Sequence, residues 1–316
     1  MERRKRYRRK KNYLGQFIFI ILSIILILIT YILLMKPFDD KEEKQETSEI
    51  KTSISSSSQS PSSSVEKKWL TTKAENYLPT LMYHNISGNT PNNNYVSPEN
   101  LESVLQVLQA KEIYTVSTQE AHKILTTQTK PSEKIIWLTF DDGYQDFYDS
   151  VFPLLKKYKM HATSFIITNK VKNNRAGYLT TNQIKEMSES SYVDFQSHTV
   201  SHVDLNISTD ETQKSELEES KAYLDDLLQQ ETIALCYPAG SHNASTEPIA
   251  RELGYKMGLL DPGRTYDGLI AVNAAARNSD GLFSLNRYRT FTNTDGAVVS
   301  ATISEDEKYN SENTQK

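Results

Sequence analysis

Seven short, mostly apolar runs restrict the fold of this chain more than any other feature. They are residues 80–84, 113–117, 134–140, 162–168, 192–196, 232–237 and 255–260. Successive side chains of a strand point to opposite faces, so a strand that is apolar on both faces is typical of a parallel sheet covered on both sides. Polar segments long enough for helices lie between several of these runs. We therefore predict an α/β fold, an incomplete or distorted (β/α) barrel with about seven parallel strands.

Three segments between the runs have the pattern of amphipathic helices. Ser97 can cap a helix that begins with Pro98, and apolar residues follow at positions 101, 104, 105 and 108. A second helix is predicted over residues 210–230, where leucines form one apolar stripe, and a third over residues 245–253. Alternation of these helices with the strands supports the barrel prediction.

The amino-terminal 35 residues have the pattern of a membrane anchor. Residues 1–13 contain eight Lys or Arg and one Glu, and residues 14–35 contain no charge. A spanning helix needs about 20 apolar residues, whereas the apolar core of a cleaved signal peptide has about 7–15. The basic block precedes the span, which predicts a cytoplasmic amino terminus. We expect a single-pass protein of the cell membrane with its catalytic domain outside the cell.

The remainder divides into a linker, one domain and a tail. Residues 36–72 are rich in serine and charge and are predicted to be a disordered linker, residues 73–304 a single globular domain, and residues 305–316 a disordered tail. Without residues 1–13 the formal net charge is about −11, which argues against nucleic acid as a partner. Cys236 is the single cysteine, so the domain has no internal disulfide. We expect a monomer.

Two of the predicted strands end in residues that can bind a metal ion. Asp141, Asp142 and Gly143 follow the run 134–140; alone they are an ordinary turn, but two adjacent carboxylates repel each other unless a cation or an arginine lies between them. His198 and His202 follow the run 192–196 with a spacing of four residues, which lets two imidazoles converge on zinc. One carboxylate and two imidazoles would leave open coordination positions, as in catalytic zinc sites.

Three further positions lie at or near strand ends. His84 ends the first run. The turn "YPAG" (237–240) follows the run 232–237, and its backbone amides could bind a negatively charged oxygen. Arg287 and Arg289 lie in "LNRYRT" near the end of the domain, where solvated surface arginines are an equally good interpretation.

The sequence resembles the polysaccharide deacetylase family, that is, the NodB-homology domain of carbohydrate esterase family 4. "TFDDGY" is similar to the first motif of that family, and "HTVSH", about 55 residues later, is similar to its H-(S/T)-x-x-H motif. The resemblance extends over roughly residues 78–292. It implies that Asp141 is the catalytic base and that Asp142, His198 and His202 bind one divalent metal ion, zinc in first place and cobalt or nickel as alternatives.

Two departures from the usual family pattern point to one branch. Cys236 and Ala239 stand where the third motif normally has an arginine and an aromatic residue, and no histidine follows position 242 to supply the usual acid. In both departures the sequence resembles the branch that deacetylates poly-N-acetylglucosamine and related surface polysaccharides. There an early "MYH" strand supplies the acid, here His84, and a late "L-x-R-x-R" strand supplies the arginine beside the base. Arg287 is the first choice for that arginine, with Arg289 and Arg264 as alternatives.

The remaining assignments concern the substrate. The amide of Ala239 or its neighbour would stabilise the oxyanion, and Tyr144 and Tyr237 are the aromatic residues nearest the motifs. The expected reaction is metal-dependent de-N-acetylation of N-acetylglucosamine in a cell-surface or cell-wall polysaccharide, with release of acetate. Alternatives are an O-acetyl esterase on a wall polysaccharide and a catalytically silent, membrane-tethered glycan-binding module. A protonated His84 favours the amide, because an amine leaves poorly unless it is protonated.

Overall fold

A computed structural model describes residues 68–88, 95–263, 265–266, 269–270 and 272–313. All described ranges lie within one compact unit, which comprises residues 64–316. The predicted span 14–35 and most of the predicted linker therefore lie outside the described residues. Within the described ranges, no helix has both the length and the hydropathy needed to cross a bilayer.

The strands of the described ranges are short. They are β1 (Leu70–Thr71), β2 (Tyr77–Leu78), β3 (Thr80–Tyr83), β4 (Tyr114–Thr115), β5 (Thr129–Lys130), β6 (Ile135–Phe140), β7 (Ala162–Ile166), β8 (Val193–Ser197), β9 (Ala234–Cys236), β10 (Met257–Leu259), β11 (Thr265–Tyr266), β12 (Leu269–Ile270), β13 (Ala276–Arg277) and β14 (Tyr288–Arg289).

Helices separate most of the central strands. The α-helices are α1 (Pro98–Ala110), α2 (Thr118–Thr126), α3 (Phe152–Tyr158), α4 (Thr168–Lys172), α5 (Thr181–Ser188), α6 (Asp210–Leu228), α7 (Thr246–Glu252) and α8 (Gly296–Asn313). A π-helical turn, Phe147–Val151, precedes α3, and single 3-10 turns occupy Pro238–Gly240 and Asn278–Asp280.

The central sheet has seven parallel strands in the order β10-β9-β8-β7-β6-β3-β14, and β4 pairs in parallel with the beginning of β6. Six of the predicted runs supply β3, β6, β7, β8, β9 and β10, and the run 113–117 supplies β4; β14 comes from none of them. The α/β half-barrel is confirmed. The observed strands are shorter than the runs, except β8, which has the same length as its run. Two pairings define the strand register at the centre of the sheet. Thr80 of β3 pairs with Trp137 of β6, and Thr139 of β6 pairs with Thr163 of β7.

The segment 282–285 links the two edges of the sheet. On one side it bonds to β10, where the Gly258 amide donates to the Leu282 carbonyl at 2.8 Å and the Leu260 amide to the Leu285 carbonyl at 2.9 Å. The chain then enters β14, which pairs in parallel with β3 at the other edge. Arg287 consequently lies inside the barrel and is fully buried.

Alternate residues of β6 belong to two different hydrophobic clusters. Ile136, Leu138 and Phe140 pack in the cluster that includes the helices α1, α3 and α5. Ile135 and Trp137 pack in a second cluster with residues of β7, β9 and β10. This two-sided burial is the reason why the strand reads as continuously apolar.

The helix predictions agree with the structure except at the carboxyl end. Ser97 caps α1, whose buried residues are the four apolar positions that the periodicity selected. The last helix differs, because α8 continues to Asn313, beyond residue 305, where the sequence predicted a disordered tail. Val299 and Ile303 are buried one turn apart, and Tyr288 donates a hydrogen bond of 2.6 Å to Asp306, so contacts with the domain extend into the predicted tail.

Candidate active site

The carboxyl ends of four parallel strands meet around one cleft of about 230 Å³. β3 leads to His84, β6 to Asp141 and Asp142, β8 to His198, and β9 to Ala239. The cleft is lined by His84, Asn85, Tyr95, Asp141, Asp142, Tyr144, His198, His202, Tyr237, Ala239, Asp261 and Arg289. Active sites of such barrels occupy this end of the strands.

Asp142, His198 and His202 are positioned to hold one metal ion. Asp142 Oδ1 lies 3.3 Å from His198 Nε2 and 3.6 Å from His202 Nε2. Two ligands about 2.0–2.1 Å from a tetrahedral zinc ion are about 3.4 Å apart, so this donor set fits such an ion. The structure therefore brings together all three predicted ligands.

A backbone carbonyl fixes the orientation of His198. Its Nδ1 lies 2.7 Å from the carbonyl oxygen of Cys236. A carbonyl only accepts, so Nδ1 carries a proton and Nε2 is turned toward Asp142. Burial lowers the pKa of His198, but Cys236 and the hydrogen bond to Asp142 outweigh it and raise that pKa well above the usual range.

Asp141 forms a fully buried, bidentate ion pair with Arg287. Nη1 donates to Oδ1 at 2.9 Å and Nη2 to Oδ2 at 2.8 Å. Burial alone would raise the pKa of Asp141, but the charge and hydrogen bonds of Arg287 lower it far below its usual value. Asp141 is therefore ionised beside Asp142, as a base must be.

The remaining donors of Arg287 hold its guanidinium in place. Nε donates to the Leu260 carbonyl at 2.8 Å, Nη1 to Thr139 Oγ1 at 3.2 Å, and Nη2 lies 3.1 Å from Cys236 Sγ. Arg289 instead pairs with Asp261 at 3.1 Å. Arg264, the third candidate, lies outside the described residues.

His84, the predicted acid, lines the cleft and is half-buried. Burial lowers the pKa of His84, and the charges of Arg287 and Arg289 lower it further. The charges of Asp141 and Asp142 raise it, but the pKa remains below its usual value. The resting imidazole is consequently held in its neutral form more strongly than a solvated histidine.

The "DDG" turn has a conformation that requires glycine. Both Asp142 and Gly143 have a φ of +74°, and a Cβ on Gly143 would lie 2.8 Å from Ile166 Cδ1. Hydrogen bonds between residues 143–145 and 177–179 support the turn from the other side. Tyr144 stacks on Tyr178 with ring centroids 5.2 Å apart, which places a second tyrosine, absent from the sequence prediction, near the cleft.

The turn after β9 contains Tyr237 and Ala239, two of the residues that the sequence analysis assigned to the substrate. Ala239 is exposed with a φ of +48° and lines the cleft. Tyr237, the other aromatic residue assigned to the substrate, also lines the cleft. Its side chain is 1% exposed, its hydroxyl donates to the Phe283 carbonyl at 3.0 Å and its ring stacks on His242, so most of the ring packs in the core.

Sequence reasoning also missed two residues that shape the site. Cys236 supplies the carbonyl that orients His198, and its thiol lies 3.4 Å from Asp141 Oδ2. Asp261 closes the cleft next to Arg289. Both could have been found, because Cys236 and Asp261 stand at the ends of two predicted strands, the position that identified the other site residues.

Comparisons with known proteins agree with this geometry. The polysaccharide deacetylase family model matches residues 128–258. YxkH of Bacillus subtilis (strain 168), a protein named for that family, is 36% identical over 236 residues, which cover 74% of this chain and 79% of YxkH. A poly-beta-1,6-N-acetyl-D-glucosamine N-deacetylase of Staphylococcus aureus (strain MRSA252) is 26% identical over 196 residues, covering 58% of this chain and 67% of that protein.

A solved structure supports the same relationship. The Streptococcus pyogenes deacetylase PplD, determined in complex with acetate, superimposes with a TM-score of 0.68 and 36% identity, covering 73% of this chain and 99% of PplD. IcaB from Ammonifex degensii, at 23% identity and a TM-score of 0.60, shares the fold.

Proposed function

Because this chain belongs to the polysaccharide deacetylase family, we propose that it removes N-acetyl groups from N-acetylglucosamine residues of a cell-surface or cell-wall polysaccharide and releases acetate. One observation carries the proposal: the ionised pair of Asp141 and Arg287 lies directly beside the donor set of Asp142 and two histidines. A hydrolase of this kind needs both an anionic base and a cation site.

We propose that Asp142, His198 and His202 hold one divalent metal ion. Two imidazole nitrogens and one carboxylate suit zinc best, and cobalt and nickel share this preference for nitrogen donors. Such an ion, when bound, polarises a carbonyl oxygen and lowers the pKa of water. The half-exposed side of His202 leaves the site open toward the cleft.

The residues of the chain divide the proton transfers between them. Asp141 takes a proton from the attacking water, and Arg287 keeps this carboxylate ionised until then. The backbone at Ala239 lies on the cleft, where an amide can stabilise the oxyanion of the tetrahedral intermediate. His84, which is neutral at rest, relays the proton taken up by Asp141 to the departing amine nitrogen, so that Asp141 is ionised again. The C–N bond breaks, and the products are acetate and a sugar with a free amine.

An O-acetyl esterase is the second candidate, and the lowered pKa of His84 is the observation in its favour. An ester requires less help from an acid, because an alkoxide leaves more readily than an unprotonated amine. Paired assays on an N-acetylated and an O-acetylated glycan separate the two reactions. The presence of both base and donor set argues against a catalytically silent glycan-binding module.

We also propose that the enzyme is anchored in the cell membrane and acts outside it as a monomer. The basic residues 1–13 followed by the uncharged residues 14–35 support this location. Its partner would be an acetylated polysaccharide rather than a nucleic acid. Peptidoglycan, poly-N-acetylglucosamine and the linkage unit of a wall polymer are the candidates.

Acetate release from a panel of these purified polymers tests the proposal. Wild-type protein should release acetate, chelation should stop the release, and zinc, cobalt or nickel should restore it. Asp141→Asn should abolish release in protein that circular dichroism shows to be folded, whereas Asp226→Asn, an exposed change on α6, should have no effect. Full activity in Asp141→Asn, or activity indifferent to chelators, would contradict the assigned base or the metal site, respectively.

A further inference from the structure

The two candidate histidine ligands are held in place by different means. His198 is 2% exposed and its ring is fixed by the carbonyl of Cys236. The side chain of His202 is 37% exposed, and within the described part of the chain no carbonyl or carboxylate accepts from its Nδ1. The position of its imidazole therefore depends on the backbone of the loop that carries it.

This loop, residues 199–202, adopts an unfavourable conformation. Thr199 has a φ of +64° and His202 a φ of +63°, and a β-branched residue in this region is a genuine outlier. Such a conformation persists only when the surroundings over-determine it. Part of that support is internal, because the His202 amide donates to Thr199 Oγ1 at 3.0 Å.

The external support from side chains comes from one carboxylate on α6, and it adds to hydrogen bonds of 3.2 and 3.0 Å from backbone amides at the beginning of α4 to the carbonyls of Thr199 and Val200. Glu216 Oε2 accepts from the amides of Val200 and Ser201 at 2.9 and 2.8 Å, and Glu216 Oε1 accepts from Ser201 Oγ at 2.5 Å. We propose that Glu216 is a positioning residue that holds the loop between the histidines and thereby sets His202 as a metal ligand. The inference rests on the proposed metal site.

The charge of Glu216 matters as well as its shape. Both oxygens of a carboxylate accept, so the side chain can serve two consecutive amides and a hydroxyl together. In Glu216→Gln the remaining oxygen can still accept from the two amides, and the NH₂ group can donate to Ser201 Oγ, because a hydroxyl also accepts; these contacts then lose the negative charge that strengthens them. The helix itself is firmly seated, because Leu217 is fully buried and Gln213 accepts a hydrogen bond of 2.6 Å from Thr246 in α7.

The effect on metal affinity follows from this geometry. Without the carboxylate, two amides and one hydroxyl of the loop lose their acceptor, and His202 Nε2 is held less firmly beside Asp142. Outer contacts of metal ligands typically contribute 10- to 100-fold in affinity. We expect the dissociation constant for zinc to rise by about that factor in Glu216→Ala and by somewhat less in Glu216→Gln.

Titration of the full-length, metal-stripped protein with Zn²⁺, and with Co²⁺ followed by its visible absorption, tests the inference. Glu218→Ala, an exposed change two residues away on the same helix, is the matched control and should bind like wild type. At saturating metal, Glu216→Gln should regain an acetate-release rate within a few-fold of wild type. An unchanged dissociation constant in Glu216→Ala, or an equal loss in Glu218→Ala, would overturn the inference.

Two further readouts keep the outcomes distinct. If Glu216→Ala does not fold, as judged by tryptophan fluorescence, Ser201→Ala removes only the hydroxyl contact and should weaken metal binding several-fold; no change there counts against the inference. Wild-type protein that binds zinc through a Glu216-dependent site but releases no acetate contradicts the proposed function alone. Wild-type protein that binds no metal contradicts both.

Discussion

Replacing Arg287 with methionine removes the guanidinium that neutralises Asp141 inside the barrel. The two side chains are 1% and 3% exposed, so water cannot take the place of the lost charge. Methionine fills most of the apolar volume of arginine and keeps the cavity small. The change therefore isolates the electrostatic contribution of one buried ion pair.

The cost can be bracketed in two ways. Removing one partner of a buried pair typically destabilises a protein by about 3–5 kcal/mol. In the variant, Asp141 can limit this cost by taking up a proton and becoming neutral. For a carboxyl group with a reference pKa of about 3.9, protonation costs about 4 kcal/mol at pH 7 and about 1.5 kcal/mol at pH 5. We therefore expect a loss of about 3–4 kcal/mol at pH 7 that shrinks to about 1–2 kcal/mol at pH 5.

The sign of the pH dependence follows from the lowered pKa of Asp141 in the wild-type protein. A carboxylate with a lowered pKa stabilises the fold above its unfolded pKa, about 3.9, and this stabilisation is lost as the pH falls through the folded pKa. In Arg287→Met, Asp141 stays buried but has lost its counter-charge. The free energy of unfolding of the variant should therefore approach that of wild type as the pH falls.

Urea unfolding in the presence of a chelator, followed by fluorescence of the buried Trp137, measures these differences. The double variant Asp141→Asn/Arg287→Met closes a thermodynamic cycle and should be more stable at pH 7 than Arg287→Met, because no buried charge remains. Additive losses in the cycle, or a loss in Arg287→Met that does not change between pH 7 and pH 5, would refute the reasoning.

Three other changes test separate parts of the structure. His84→Gln should lower acetate release from an N-acetylated glycan by about 10²–10⁴-fold but spare an activated aryl acetate; equal losses would exclude the acid role. His161 bonds to Asp194 at 2.9 Å; burial lowers its pKa, but this bond and the charge of Asp194 raise it overall. Protonated His161 should thus stabilise the fold fully below about pH 6.5, and this stabilisation should disappear as the pH rises through the folded pKa. The unfolding free energies of wild type and His161→Gln should therefore converge at alkaline pH. A difference that stays constant with pH would contradict the assigned pair. Gly258→Ala would drive a Cβ into the ring and hydroxyl of Tyr237 and should cost about 1–3 kcal/mol in urea unfolding, whereas wild-type stability would show that the ring moves freely.

Local pattern was sufficient to predict the sheet and the strand ends that carry the candidate metal donors, whereas the choice of Asp142 over Asp141 came from the family resemblance. A strand buried on both faces must be apolar throughout, so β6 and its neighbours were recognisable without knowledge of their partners. Asp142 and the two histidines follow directly after strands, and parallel strands bring their carboxyl ends to one edge. These donors therefore meet whenever the strand assignment is right.

Contacts that depend on barrel closure could not be predicted from local pattern. Asp141 and Arg287 are 146 residues apart, and which of three late arginines enters the barrel depends on the pairing of β14 with β3. The burial of the Tyr237 ring likewise depends on Gly258 in the adjacent strand, which leaves room for it. Only the resemblance to a family branch favoured Arg287.

The adjacency of β3 and β14 also has a consequence for biosynthesis. A nascent chain that has emerged only as far as β10 already contains every candidate metal donor, yet it lacks the guanidinium that offsets the carboxylate of Asp141. The buried ion pair can therefore form only after residue 287 has left the ribosome. A chain that ended before this residue would keep the candidate metal donors but would leave Asp141 without its counter-charge.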